Sequence, residues 1–334
     1  MDAATKARLW GWNTALDAAF VRWFLAGLAA VLVIVPLLIL LLQATGKSNA
    51  ERQRELWARY RSWLIFIPLM IGPVLLGAGW TVAAVCVMSI LCYREFARAT
   101  GLFRHRSISL LVVLGIFALT FAIADHWYGF FVAITPLMIA CIAAVAIFDD
   151  QPKGYIQRVA LGIFAFLLFG VCFGHLGYFA NDGNYRQMLI WLVVCVELND
   201  IFAYIVGKTL GRKKLAPNTS PNKTVAGAVG AAVLTTLVAA GLGKMVFSGT
   251  EVDTPFRLVL LGVILSFSGQ LGDLALSSIK RDLGIKDWAA TFPGHGGLLD
   301  RFNSLLFAAP AVLHYVGYLH GIGLDQVPRI ITRG

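Results

Sequence analysis

Charged residues are scarce in this sequence. Only 14% of its 334 residues are Asp, Glu, Lys or Arg, whereas ordinary soluble domains contain about a quarter, so a single water-soluble domain is excluded. The five cysteines lie inside apolar stretches without the spacing of metal ligands, so neither a disulfide framework nor a zinc site is indicated. The chain also lacks a hydrophilic segment long enough for a separate domain, and one membrane domain is expected.

Apolar sequence is abundant instead: 58% of the residues are hydrophobic and the mean hydropathy is +0.75. The first long apolar run, Phe24 to Gln43, exceeds the apolar region of a cleaved signal peptide and is predicted to be retained. Residues 63–93 are short for two helices and long for one, but the central segment 77–79, Gly-Ala-Gly, is typical of a tight turn. We therefore predict an all-α polytopic membrane protein, a helical bundle of about ten transmembrane helices with a polar cavity open to the cytosol.

The basic residues predict the orientation of these helices. Lys and Arg outnumber the acids and give a formal charge of +10, but the apolar sequence between them favours a membrane over a nucleic-acid partner. Basic residues collect in cytoplasmic loops, and alternate loops hold 20 of the 28. Both termini are therefore predicted outside, in a bacterial cytoplasmic (inner) membrane. The basic loops are 44–62, 94–107, 149–158, 208–223 and 277–301.

The sequence predicts two regions: residues 1–106, with about three transmembrane helices, and residues 107–334, a transmembrane catalytic region.

Polar side chains enter two helices of the second region. An ionisable side chain at mid-bilayer costs at least ~2.5 kcal/mol, so two such stripes predict a shared wet cavity. Alternatively, the aspartates are hydrated structural acceptors near the cytosolic ends, and transporters and enzymes would both show such stripes. The stripes are Glu197, Asp200, Tyr204 and Lys208, and Ser266, Gln270, Asp273 and Ser277, each on one helix face.

Two of the predicted cytosolic loops contain candidate substrate-binding and metal-binding residues. In the first, basic residues surround Ser220, Asn222 and Thr224, and together they are able to cradle a polyphosphate. The alternative is that this loop only follows the positive-inside rule or touches anionic lipid headgroups. Its basic residues are Lys208, Arg212, Lys213, Lys214 and Lys223.

The second loop, which follows Ser277, mixes charges of both signs and so suits an anionic substrate together with a divalent cation. Asp273 and Asp300 would meet if this loop folds back as a hairpin, and carboxylates are ligands that Mg²⁺ prefers. This pair is the predicted site for Mg²⁺ or Mn²⁺. His295 is either a turn residue or a phosphate contact. The other charged residues are Lys280, Arg281, Asp282, Lys286, Asp287 and Arg301.

This loop resembles the C-terminal signature of the CDP-diacylglycerol synthases, also called phosphatidate cytidylyltransferases. The resemblance covers roughly the C-terminal two thirds of the chain. It departs at Asn303, where the family has a second Asp, and at Val225-Ala226, where the family has Trp-Glu. The matching positions are Ser277, Lys280, Arg281, Lys286, Asp287, Ala289, Pro293, His295, Gly296, Gly297, Asp300 and Arg301, and upstream Asp200, Ala203, Tyr204, Gly207, Lys208 and the Ser-Pro-Asn-Lys-Thr segment 220–224.

The resemblance implies transfer of a cytidylyl group from CTP to phosphatidic acid, with CDP-diacylglycerol and pyrophosphate as products. It implies that Asp273 and Asp300 hold the metal and that nearby cations neutralise the phosphates. Asp200 and Asp287 would orient those cations. The implied catalytic set also includes Lys280, Arg281, Lys286, His295 and Arg301, and the substrate-binding set Asp200, Tyr204, Lys208, Ser220, Asn222, Lys223 and Thr224.

Several alternatives remain open at this point. A lipid transporter would line its path with the polar stripes, but it predicts broken helices or related halves, and neither is visible in the sequence. A cytidylyltransferase or a CTP-dependent kinase acting on a different lipid, or a paralogue without activity, fits the same motifs. The sequence also leaves open whether the chain forms a homodimer.

Overall fold

The computed structural model describes residues 3–45, 49–289, 296–321 and 329–332. A short helix, α1, precedes ten helices that are each long and apolar enough to cross a membrane. The predicted all-α polytopic fold is therefore confirmed. The helices are α1 (Ala3–Trp10), α2 (Ala19–Ala44), α3 (Ala50–Leu76), α4 (Ala78–Thr100), α5 (Arg106–Ala124), α6 (Tyr128–Val145), α7 (Tyr155–Asn181), α8 (Tyr185–Leu210), α9 (Val225–Val246), α10 (Pro255–Asp282) and α11 (Leu299–His320).

The ambiguous stretch 63–93 forms two helices that meet at Gly77, as predicted. Gly77 has a φ of +146°, a conformation that side chains disfavour. A Cβ atom at this position would lie 2.3 Å from the carbonyl oxygen of Leu9, because α1 packs over the turn. The hydroxyl of Thr81, in the first turns of the second helix, donates to the Gly77 carbonyl at 2.9 Å.

Two predicted loops are partly helical in the structure. Helix α3 begins at Ala50, where the Asn49 side chain caps it by accepting from the backbone N–H of Arg52 at 2.9 Å. Helix α10 continues to Asp282. Hydropathy marks only the membrane-crossing part of a helix, whereas the backbone hydrogen bonds continue into charged sequence wherever capping allows.

The predicted loop 208–223 contains a short antiparallel hairpin that the sequence did not indicate. Its strands are β1 (Lys214–Ala216) and β2 (Ser220–Thr224), and Lys214 pairs with Thr224. Strand β2 leads directly into α9, because the hydroxyl of Thr224 accepts from the N–H of Gly227 at 3.0 Å and caps that helix.

Helices α8 to α11 pack closely because small residues lie between them. Helix α9 packs most extensively on α8 and α10, and α10 packs on α11. A Cβ atom at Gly227 would lie 2.6 Å from the carbonyl oxygen of Ala203, and one at Gly272 would lie 2.7 Å from that of Asn303. Such small residues let membrane helices approach one another.

The regions before and after residue 106 share one apolar core in the structure. The buried ring of Phe96 in α4 lies 5.2 Å from that of Phe169 in α7. Near this contact, α7 widens into a π-helical segment, Phe166–Cys172. The division at residue 106 stays a prediction, since the shared core neither requires nor excludes it.

We predict that Gly272→Val destabilises the protein, because the added side chain would force α10 away from the backbone of Asn303. Overpacking of this kind costs about 1–3 kcal/mol. The measurement is the thermal unfolding midpoint in detergent. Gly241→Val on α9 is the matched control, because a Cβ atom there meets nothing within 4 Å. Equal midpoints for the two variants would contradict the close contact.

Candidate functional site

Two residues from each predicted polar stripe, Asp200 and Tyr204 of α8 and Gln270 and Asp273 of α10, line one cavity of about 190 Å³. Helix α8 contributes one wall, helix α10 the opposite wall, and strand β2 covers them. The shared polar cavity is thus present, at the end of the bundle where β2 and the loop after α10 lie. Its lining residues are Asp200, Ala203, Tyr204, Asn222, Lys223, Thr224, Ala228, Gln270 and Asp273.

Lys223 and Asp273 form an ion pair at the wall of this cavity. The Nζ atom of Lys223 lies 2.5 Å from Oδ2 of Asp273, and each side chain is about one fifth exposed. The hairpin makes this contact possible, because β2 carries Lys223 directly in front of the Thr224 cap. The interaction is only partly screened by solvent, which strengthens it relative to a surface pair.

The carboxylate of Asp300 is enclosed by the protein, with a side chain only 5% exposed. Its Oδ1 atom accepts from Nζ of Lys280 at 2.7 Å. Its Oδ2 atom accepts from the backbone N–H groups of Trp288 and Gly297, each at 3.0 Å. One carboxylate therefore holds together the end of α10, the following loop and the start of α11.

The structure places Asp273 and Asp300 on facing helices with separate partners. Asn303 donates its side-chain amide to Oδ1 of Asp273, and Asp300 lies three residues earlier, about 4.5 Å along α11. The two carboxylates share no donor or cation among the described residues. In that part of the chain, no three His, Cys, Asp or Glu side chains gather as metal ligands. Their joint binding of a metal stays a prediction.

Asn303, the departure from the family signature, acts as a donor in the structure. An amide can donate to Asp273, whereas a carboxylate at this position would repel it. The next residue, Ser304, donates its hydroxyl to Oδ2 of Asp200 at 3.0 Å. Helix α11 therefore supplies neutral donors to two carboxylates that line the same cavity.

Arg281, Lys286 and Asp287 make no hydrogen bond or ion pair with Asp300 within the residues that the structure describes. The guanidinium of Arg281 donates to the carbonyls of Thr219 and Ile285, so it links α10 to the hairpin. Lys286 and Asp287 are exposed. His295 lies outside the residues that the structure describes.

The other predicted substrate-binding residues lie along the opposite wall and the hairpin. The Nζ atom of Lys208 lies 3.5 Å from the Tyr204 hydroxyl and 5.6 Å from the centre of its ring, and both side chains are exposed. Ser220 is half-buried and Asn222 is exposed on β2.

Two polar residues of the site region were missed by the sequence analysis. Glu95 of α4 accepts from the N–H groups of Leu298 and Leu299, at 3.0 and 2.9 Å, and so binds the start of α11. Asn199 is fully buried and accepts from the hydroxyl of Ser266 at 2.5 Å. Glu95 lies among the arginines of a basic loop and Asn199 beside the polar stripe, so neither position drew notice.

We predict that Glu95→Gln loosens the start of α11. The amide keeps only one acceptor oxygen, so one of two charge-assisted hydrogen bonds is lost, at a cost of about 1–3 kcal/mol. Hydrogen exchange measured by mass spectrometry should become faster in peptides that contain Leu298 and Leu299. Glu51→Gln, on an exposed face of α3, should leave this exchange unchanged. Unchanged exchange in both variants would refute this role of Glu95.

Comparison with known proteins gives one family and named relatives. A model described as "Cytidylyltransferase family" matches residues 57–319. The phosphatidate cytidylyltransferase of Bacillus subtilis is 36% identical over 217 residues, covering 61% of this chain and 77% of that protein. Its counterpart in Staphylococcus saprophyticus is 41% identical over 141 residues, or 42% of this chain and 52% of that protein. The Escherichia coli protein YnbB is 27% identical over 271 residues, or 79% and 88%.

Proposed function

Since this chain belongs to the cytidylyltransferase family, we propose that it transfers a cytidylyl group from CTP to phosphatidic acid in phospholipid biosynthesis. The chain is an integral membrane enzyme of the nucleotidyltransferase type. The observation that carries the proposal is the pair of lysine-bound carboxylates, Asp273 and Asp300, on facing helices beside the polar cavity. The names of the relatives supply the lipid substrate.

Electrostatics explains why this reaction suits such a site. The phosphate of the lipid attacks the α-phosphorus of CTP, the bond to the β-phosphate breaks, and pyrophosphate leaves. Two polyanions must come together, so the barrier is lowered mainly by cations held in fixed positions. No general base is required, because the lipid phosphate is already ionised near neutral pH. The available cations are Lys223, Lys280, Arg281, Lys286 and Arg301, with Ser220, Asn222 and Thr224 as hydrogen-bonding groups.

The donor set fits a divalent cation. Mg²⁺ is usually bound by one or two carboxylates together with substrate phosphates, so a cluster of three acids is not needed. In the structure, Asp273 and Asp300 each form an ion pair with a lysine ammonium group. These contacts support their assignment as ligands of the divalent cation. When bound, Mg²⁺ or Mn²⁺ would neutralise charge on the phosphates. Lys223 and Lys280 would then contact substrate phosphates instead of these carboxylates.

We place the reaction on the cytosolic side of a bacterial cytoplasmic membrane. The basic loops that the positive-inside rule assigns to the cytosol include β2, which lines the cavity. CTP would arrive from water and the lipid from the bilayer. The test is to label the variant Lys213→Cys with a membrane-impermeant thiol reagent. Labelling of this cysteine only in opened cells would support the orientation, and labelling in intact cells would oppose it.

The central prediction concerns the two carboxylates. Asp273→Asn and Asp300→Asn should each lower product formation by about 100-fold or more, the scale of losing a key electrostatic group. The measurement is labelled lipid formed from CTP that carries ³²P at the α-phosphate, with purified protein, Mg²⁺ and phosphatidic acid. Glu251→Gln, on an exposed carboxylate between α9 and α10, is the matched control. Retained turnover in both aspartate variants would exclude the assignment.

The position of the label separates the proposal from its alternatives. Label that enters lipid from the α-phosphate identifies cytidylyl transfer, whereas label only from the γ-phosphate identifies a lipid kinase. No labelled lipid from either position, with folded protein, would favour a transporter or an inactive paralogue. Replacing phosphatidic acid with other lipid phosphates in the same assay tests the choice of acceptor.

We also expect the activity to require a divalent cation. Treatment with EDTA should abolish turnover, and added Mg²⁺ or Mn²⁺ should restore it. The reason is that the metal would neutralise the phosphates of the two substrates where they meet beside the carboxylates. A variant with weakened ligands, such as Asp273→Glu, should need more Mg²⁺ for half-maximal rate. Full activity in EDTA would contradict the metal proposal while leaving the transfer reaction in place.

A further inference from the structure

Two apolar grooves run along neighbouring faces of α3 in the membrane-spanning part of the chain. The first, here the α2 groove, has a volume of about 580 Å³ and lies between α2, α3 and α8. The second, the α4 groove, has about 350 Å³ and lies between α3, α4, α8 and α11. Met70 and Val193 line both grooves, so the two spaces adjoin. Both volumes are in the range of ligand sites, about 300–1,000 Å³.

Both grooves lead to the neighbourhood of Arg301. Glu197, which lines the α2 groove, lies one helical turn before Asp200 on α8. Asp200 accepts from the hydroxyl of Ser304, which lies one turn after Arg301 on α11. Phe302, which lines the α4 groove, is the next residue after Arg301 in α11. Asp200 itself lines the polar cavity. The two apolar spaces and the candidate site therefore meet near Arg301, where α8 and α11 are in contact.

Arg301 is available to a ligand. It is exposed, and within the described ranges its guanidinium has neither an ion pair nor a hydrogen bond. A guanidinium in this state, at the edge of an apolar groove, suits a phosphate group, which it can bind through two parallel N–H donors. In contrast, both carboxylate oxygens of the neighbouring Asp300 accept hydrogen bonds from other groups of the protein.

We propose that one diacyl lipid phosphate binds against α3, with its phosphate on Arg301 and one acyl chain in each of the two adjoining grooves. A molecule with two chains and one anionic head matches two adjoining apolar grooves that meet near one cation. The identity of the lipid as phosphatidic acid rests on the proposed function. The grooves alone cannot attract acyl chains from a bilayer of equal apolarity, so the phosphate contact provides the preference for this lipid.

Helix α2 acquires a specific role in this arrangement. It lies outside the residues that the family model matches, 57–319, yet it forms a wall of the α2 groove through Leu28, Val31 and Val35 among others. Without α2 this side of α3 would face the bilayer. We infer that α2 determines which acyl chains fit beside the site.

The first experiment detects the bound lipid without turnover. The Asp273→Asn variant, in phosphatidylcholine vesicles, is irradiated with phosphatidic acid that carries a diazirine in one acyl chain, and labelled peptides are identified by mass spectrometry. We expect label on α2, α3 and α4 residues of the grooves, removed by excess unlabelled phosphatidic acid but not by phosphatidylcholine. Arg301→Ala should remove this difference between the competitors. Label that ignores the headgroup would show surrounding bilayer lipid only and would overturn the proposal.

The second experiment fills the α2 groove. Val31→Trp narrows it, whereas Val33→Trp, on an exposed face of the same helix, leaves it open. With a long-chain phosphatidic acid, Val31→Trp should raise KM roughly tenfold with little change in kcat. With a dihexanoyl lipid both variants should match the unmodified protein. Equal behaviour of the two variants with long chains would refute the groove assignment.

The two experiments separate this inference from the proposed function. If the unmodified protein turns over no phosphatidic acid of either chain length, the proposed function fails, while the labelling experiment still reports whether a lipid phosphate occupies the grooves. If turnover is found but labelling ignores the headgroup, the proposed function stands and the groove assignment fails.

Discussion

The structure of the candidate site depends on two carboxylate–ammonium pairs at the end of α10. Lys223 on β2 binds Asp273, and Lys280 on α10 binds Asp300 of α11. A partly buried carboxylate without a cation or donors would pay a large desolvation cost. The two pairs therefore hold the hairpin and the last helix against α10. They also keep four charged groups concentrated beside one cavity, which is where a reaction between two phosphates needs them.

The helix bundle makes these pairs possible by bringing its backbones unusually close. Glycines at the α8–α9 and α10–α11 contacts leave room for no side chain, so polar groups on neighbouring helices can reach one another. Glu95, from a helix distant in sequence, then fixes the first N–H groups of α11. The position of Asp300 is thus set from two directions, by its own hydrogen bonds and by the anchored start of its helix.

The apolar side of the molecule complements this polar end. A membrane enzyme that joins a soluble nucleotide to a lipid must offer water-facing cations and bilayer-facing grooves at one point. Arg301 occupies that point in our proposal, between Glu197 of the α2 groove and Phe302 of the α4 groove. Helix α2, outside the matched family region, adds to the apolar side without altering the polar one.

The number of membrane helices, the turn at Gly77 and the two polar stripes were all predictable, because each depends on local composition and on the 3.6-residue helical period. The assignment of Asp273 and Asp300 to one metal site stays a prediction. The hairpin, the capping role of Glu95, the buried Asn199 and the choice of a separate lysine for each carboxylate were not predictable. Each of these is a contact between residues distant in sequence, and its partner is selected only when the helices pack and buried polar groups must all be satisfied.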